Sequence, residues 1–495
     1  MKKNRILSLI LCVLLTLNPL LVRATGENST QQTTTQETTQ ETTQGTAPPE
    51  FEAQMGDSSI VSGCHSLNAQ VPLWGSSQLL PTAGSAILYE RNSDTLVYSW
   101  NPDMQVHPAS LVKIMTCLIA LENSNLNDGV TVTSTAIATL PKDTTLNFEI
   151  GEVLSMEQML YCLMVEGYND AAVVIAEHVA GSQHAFVSMM NRRAKEIGCT
   201  GTVFANATGF HDDAQLSTAR DLVKILKEAL NNEQFFPFFS QTSYRLPAKG
   251  DIPSRYMETT NYMMTTSVTA EYYDARVTGG RTGVTEARER CLIATAESNG
   301  MSYIAIVMCA KATYDDEGKI VRFGSYEEVK EMLNKGFDGF RVTQVLADDQ
   351  ILTQYPVMNG ENSVVVGPSN SVSTILPADI LSTSLSYRYQ NAQTALTAPV
   401  KEGEQITTVQ VWYGNVCLAQ SPIVTRNGSN VATIQDQSVM IEENDDGLKA
   451  ALRVILILSA VVLSVVGIVY LVRVAKAATR RAQHRRRRKS RRRSR

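Results

Sequence analysis

The chain has 495 residues, enough for two or three domains, and its 43% hydrophobic and 19% charged content excludes a wholly disordered or fibrous chain. The formal net charge of −5 hides an uneven distribution: residues 473–495 carry +13, residues 1–24 carry +4, and the body between carries −22. A body this acidic argues against nucleic acid as its partner.

Residues 1–24 have a basic start, an apolar core and small residues near Ala24, the pattern of a signal peptide. Residues 25–58 are rich in Thr and Gln, with a short QETT repeat, and read as a linker that cannot bury a core. "SAILYERNSDTLVYSW" predicts a hairpin about Asn92-Ser93-Asp94. "PASLVKIMTCLIAL" is apolar nearly all round after its start, which predicts a buried helix. "SMEQMLYCLMVEGYNDAAVVIAEHVAG" predicts two helices. Ser155 and Gln158 form a capping box for the first. Gly167 interrupts, Asn169 or Asp170 can cap the second, and Gly181 ends it. "QLSTARDLVKILKEAL" predicts another amphipathic helix. "GGRTGVTEARERCLIATAESNGMSYIAIVMCA" predicts two strands joined at Ser298-Asn299-Gly300, and "YEEVKEMLNKGFDGF" a last helix.

Strands at both ends with helices between them imply an α+β domain over 80–341, a helical cluster on an antiparallel sheet. Short β runs over 342–436 imply a small all-β domain. A linker, 437–453, leads to 454–472, which holds no charge and is long enough to span a bilayer as a single transmembrane helix. The Arg-rich tail 473–495 is then expected in the cytoplasm, against anionic lipid rather than nucleic acid, with the body outside the membrane. Eight cysteines without a C-x-x-C or regular spacing indicate neither a zinc site nor a disulfide framework.

Ser110 and Lys113 stand one helical turn apart at the mouth of the buried helix. A capping box would want Glu or Gln at 113, and a helix N-terminus favours acids there. A lysine half buried at that place has its charged form disfavoured. Such an amine can take the proton of a neighbouring serine, which makes Ser110 a candidate nucleophile for acyl transfer. The backbone N–H groups that come next are candidates to stabilise an oxyanion. The bland alternative is that Ser110 only caps the helix and Lys113 reaches to the surface. His211, Asp212 and Asp213 form a further small cluster that could serve a metal or a triad partner, but a plain loop before the next helix is the stronger reading and no metal is expected. His178 and His184 do not make an H-E-x-x-H zinc motif. Asn28, Asn206 and Asn427 open N-x-S/T patterns.

"HPASLVKIMT", "LMVEGYNDAAVVIAEHVAG", "FANATGFHDDAQLSTARDL" and "GGRTGVTEARERCLIATA" follow one another in the order and spacing of the serine D-alanyl-D-alanine carboxypeptidases, the low-molecular-weight penicillin-binding proteins. The resemblance covers about residues 80–435. It implies a β-lactamase/transpeptidase-like catalytic domain followed by the small β domain. It implies Ser110 as the acylated nucleophile, Lys113 as its general base, and Asn169 as the Asn of a Ser-x-Asn motif that orients the lysine and binds the substrate amide. Arg281, Thr282 and Gly283 fall on the Lys-Thr-Gly strand motif, where the cation and the Thr hydroxyl hold the substrate carboxylate. It further implies removal of the terminal D-Ala from a peptidoglycan pentapeptide, covalent inhibition by β-lactams, and no cofactor. Because a wall enzyme is bacterial, the glycosylation patterns are expected to be incidental.

The chain departs from the pattern at three places. Gly167 replaces the Ser of Ser-x-Asn, Arg281 replaces the Lys of Lys-Thr-Gly, and Arg288-Glu289 stand where Ala-Gly is usual, adding charge on a strand near the site. The first removes a hydroxyl from the proton relay. The second keeps the charge and can grip a carboxylate with two hydrogen bonds, but it is not isosteric. These departures motivate a rival reading, a catalytically impaired homologue that binds the wall or acts as a scaffold. A β-lactamase-type hydrolase is a second rival, opposed by the C-terminal β domain and the membrane span.

Overall fold

The computed structural model describes residues 67, 70–74, 82–432 except 139, 382, 383 and 392, and 451–476. The expected signal peptide, the Thr/Gln-rich linker and most of the tail lie outside the described residues.

Five antiparallel strands form the central sheet: β1 (Ser85–Glu90), β2 (Thr95–Trp100), β3 (Val277–Val284), β4 (Arg290–Ser298) and β5 (Met301–Ala310), in the order β2-β1-β5-β4-β3. Both faces are covered, so the strands read as continuous apolar runs rather than alternating ones. Successive side chains still go to opposite faces. Ile87, Tyr89, Ile293, Ile304 and Ile306 join the core under the helical cluster. Leu88, Leu292, Ala294, Tyr303 and Val307 join a second core with Val329, Met332 and Leu333 of the last helix.

The cluster consists of α1 (Lys113–Asn123), α2 (Met156–Met164), α3 (Asn169–Ala180), α4 (Gln183–Ile197) and α5 (Ala219–Asn231), and α6 (Gly324–Gly339) covers the opposite face. Helix α1 is buried from Lys113 to Leu121, as its all-round apolar sequence requires. The capping box of α2 is formed: Gln158 N–H donates to Ser155 Oγ at 3.1 Å and Ser155 N–H to Gln158 Oε1 at 2.9 Å. Gly181 closes α3 in the left-handed conformation.

Three local expectations are corrected. The segment 279–310, expected as two strands, belongs to three, because Thr285–Glu289 forms a tight turn, with Thr285 N–H donating to Glu289 O at 2.9 Å. Arg288 and Glu289 therefore lie in that turn and not on a strand, Arg288 with φ +59°. Neither Asn169 nor Asp170 is the N-cap of α3. That place falls to Tyr168, without a side-chain cap, and the Asn169 amide is used elsewhere. Cys417 is disulfide-bonded, whereas Cys117, Cys162, Cys199, Cys291 and Cys309 are free.

From Phe340 onward the structure is all β. Phe340–Leu346 pairs with Val372–Pro377. A second five-stranded antiparallel sheet is built around the long hairpin of Gln405–Tyr413 and Val416–Thr425. The helix Ala451–Lys476 is 26 residues long and none of its side chains is buried.

Candidate active site

Residues Ala109–Val112 form a single 3-10 turn that runs straight into α1. Ala109 takes φ +48°, a costly conformation for a residue with a side chain. Strained backbone of this kind persists only where its surroundings fix it. Part of that fixing comes from Gly283 of β3, where a Cβ would lie 3.0 Å from Ala109 Cβ and 3.0 Å from Ser110 N. A side chain at 283 would push the Ser110 backbone away from the strand.

The Ser110 side chain caps nothing: neither helical segment has a side-chain cap. Instead Lys113 Nζ lies 3.1 Å from Ser110 Oγ. Lys113 does not reach the surface either, because it is fully buried. Its amine also meets Asn169 Oδ1 at 2.7 Å and the carbonyl of Thr208 at short range. Burial, and then the positive charge of Arg281, hold the lysine well below its usual basicity; Asp170, buried beside it, acts in the opposite sense. A neutral amine has two N–H donors and one lone pair. Asn169 Oδ1 and Thr208 O accept the two, which leaves the lone pair facing the Ser110 hydroxyl. The arrangement is that of a nucleophile beside a base oriented by a third group. The backbone amides after the serine are less available than the sequence suggests. Leu111 N–H donates to Pro108 O at 3.2 Å, and Lys113 N–H to Ser110 O.

Thr208 is a site residue that the motifs alone did not single out. Asn206 holds it: Asn206 Oδ1 accepts from Thr208 N–H at 3.2 Å, Thr208 Oγ1 at 2.9 Å and Gly209 N–H at 2.8 Å. This is an Asx turn, and Asn-x-Thr-Gly is its sequence signal. The same spacing had mimicked a glycosylation pattern.

Residues 75–312 match the D-alanyl-D-alanine carboxypeptidase family (Peptidase S11), and residues 340–429 match the C-terminal domain of penicillin-binding protein 5. Residues 75–312 carry the match to this carboxypeptidase family. The chain is 26% identical over 353 residues to D-alanyl-D-alanine carboxypeptidase DacF of Bacillus subtilis, covering 71% of this chain and 86% of the relative. It is 28% identical over 357 residues to DacC of Escherichia coli, covering 68% and 82%. The fold is that of penicillin-binding protein 5 from Haemophilus influenzae, with a TM-score of 0.58 at 24% identity, over 72% of this chain and all of that one.

Within this carboxypeptidase fold the two divergent motifs meet. Arg281 is 3% exposed, and its guanidinium is folded onto the C-terminal end of α2. Nη1 donates to Met164 O at 3.0 Å and Val165 O at 3.3 Å, and Nη2 to Glu166 O at 3.0 Å. A cation at the carbonyl end of a helix is favourably placed. Arg281 Nε is buried without a partner, and burial lowers the group's pKa to about 10. Gly167 comes directly after this helix end with φ +97°, and a Cβ there would lie 1.3 Å from Arg281 Nη2. The guanidinium thus occupies the space into which a serine at 167 would project. The two departures are one structural event: the larger cation fills the place of the missing side chain. Thr282 is half-buried, and its hydroxyl is hydrogen-bonded to the Thr260 hydroxyl.

Proposed function

We propose that this chain is a serine D-Ala-D-Ala carboxypeptidase that removes the terminal D-alanine from peptidoglycan stem peptides, with Ser110, Lys113 and Asn169 as its catalytic group. The single observation that carries the reading is the buried Lys113 amine, 3.1 Å from Ser110 Oγ and pinned by Asn169 and Thr208. Lys113 takes the Ser110 proton as Oγ attacks the carbonyl of the penultimate D-Ala. The peptide C–N bond breaks, and the same proton passes to the leaving amine of D-alanine. Water then attacks the acyl-enzyme, giving its proton to Lys113, and the serine is restored. Thr282 and the positive charge of Arg281 receive the substrate's terminal carboxylate. Arg281 acts there as a charge more than as a two-pronged clamp, since three of its N–H groups are already bonded to α2. Arg281 is also a poor proton carrier, so the relay runs through Lys113 alone. β-Lactams acylate the same serine.

The helix Ala451–Lys476, about 39 Å long at 1.5 Å per residue, anchors the enzyme in the membrane. The basic tail beyond it lies on the cytoplasmic side against anionic lipid, and the catalytic body faces the wall. The test is incubation of the whole protein with a fluorescent penicillin and, separately, with a D-Ala-D-Ala pentapeptide. A covalent band and free D-alanine are expected, both lost in Ser110→Ala. A folded wild type that gives neither would transfer the reading to a wall-binding protein.

A further inference from the structure

Beside the acylation site, His107, His211 and Asp213 bring one ligand atom each to within 4.8 Å of one another. Glu286 completes the group: His211 Nε2 lies 3.0 Å from Glu286 Oε2 and 3.4 Å from Asp213 Oδ1. We propose that these four side chains form a binding site for a zinc-class divalent cation at the rim of the active site.

Four observations support it. First, the spacing fits. A tetrahedral ion with bonds of about 2.0–2.1 Å sets its ligand atoms roughly 3.3–3.4 Å apart. The His211–Asp213 contact, 3.4 Å, already has that separation; the His211–Glu286 contact, 3.0 Å, is a little shorter, and His107 lies within the wider 4.8 Å limit of His211 and Asp213. Second, His107 Nδ1 is 3.0 Å from Gln215 O. That bond fixes the proton on Nδ1 and leaves the Nε2 lone pair for a ligand, an arrangement usual for metal-binding histidines. Third, a cavity of about 20 Å³ is walled by His107, His211 and Glu286. It is the size for one water or one ion. Fourth, two carboxylates converge on one ring nitrogen: Asp213 and Glu286 both face His211 Nε2, which has at most one proton, so a cation there meets two anionic oxygens beside an imidazole. Imidazole nitrogens with carboxylate oxygens suit zinc, cobalt or nickel rather than magnesium or calcium.

The position gives the ion work to do. His107 is three residues before Ser110. His211 comes shortly after Thr208, whose carbonyl holds Lys113. Glu286 lies just beyond the end of β3, which carries Gly283. A bound cation therefore ties together the segments that carry the nucleophile, the orienter of its base and the substrate strand. The proposal does not rest on the carboxypeptidase reading, because binding is measured without turnover.

The experiment uses the full-length, untagged protein in detergent, stripped with EDTA. Zinc is titrated against a chromophoric chelator, cobalt is added for its visible spectrum, and melting is followed with and without each ion. One equivalent of zinc is expected, with tetrahedral cobalt bands, no sulfur-to-metal band, and a melting point raised by zinc but not by magnesium or calcium. His107→Ala, His211→Ala and Glu286→Gln should each weaken zinc binding at least tenfold, while melting near the wild-type temperature without metal. Absence of saturable binding at micromolar zinc overturns the proposal. So does a thiolate band in the cobalt spectrum, or wild-type affinity in either histidine variant.

Discussion

Gly167→Ser restores the family's serine and, in this chain, should damage it. The new Cβ would meet Arg281 Nη2 at 1.3 Å, Cζ at 2.4 Å and Nη1 at 2.9 Å. The guanidinium cannot simply swing away, because three carbonyls hold it and the residue is almost wholly buried. Overpacking of this kind costs about 1–3 kcal/mol. The backbone at φ +97° adds about 1–2 kcal/mol for any residue with a side chain. The sum, about 2–5 kcal/mol, corresponds to a fall in melting temperature of roughly 4–20 °C for a domain of this size. Arg281→Lys removes the atoms in the way, but alone it forfeits the three carbonyl contacts. In Gly167→Ser/Arg281→Lys the steric part disappears. The double variant should therefore be more stable than the sum of the singles by about 1–3 kcal/mol. Thermal and urea unfolding of the four proteins would measure this, with fluorescent-penicillin acylation as the functional readout. Additivity of the two single costs, or a Gly167→Ser protein that melts with the wild type, would refute the coupling.

The pH limb of acylation should follow the charges around Lys113. Its depressed basicity places the rising limb well below the ordinary lysine range. Arg281→Met removes a nearby positive charge and should move the limb to higher pH. Asp170→Asn removes a negative one and should move it lower, so stopped-flow acylation of both variants gives opposite shifts. Asn206→Ala releases the turn that aims the Thr208 carbonyl, and kcat should fall about 10²-fold with KM little changed. Ser155→Ala breaks the capping box of α2 and should cost about 1 kcal/mol in unfolding experiments with unchanged acylation.

Much of this was legible because the signals are local. The buried helix, the capping box and the Gly181 stop depend on residues within one or two turns of each other. The Ser110–Lys113 contact was legible for the same reason, since three residues along a helical segment bring side chains together. Asn169 was reached only through the family resemblance. By itself it looks like a helix cap, and nothing in its own neighbourhood says that its amide crosses to α1. Thr208 contributes a backbone carbonyl, which no residue type announces. The exchange between Gly167 and Arg281 joins positions more than a hundred residues apart, so each looks like a separate loss. Arg288-Glu289 reads as strand because the positive φ of the turn belongs to an Arg, where Gly or Asn would have marked it.

The place of β1 in the sheet sets an order of events during synthesis. Its two neighbours are β2, a few residues on, and β5, which ends at Ala310. A chain that has emerged only as far as the helices holds its serine and lysine but has no sheet to press them against. The strand that abuts the serine, β3, is joined to β1 only through β4 and β5. A chain emerging N-terminus first can therefore pack α1 only against the other helices until the last central strand arrives, so Ser110 is among the first parts to be made and among the last to be set.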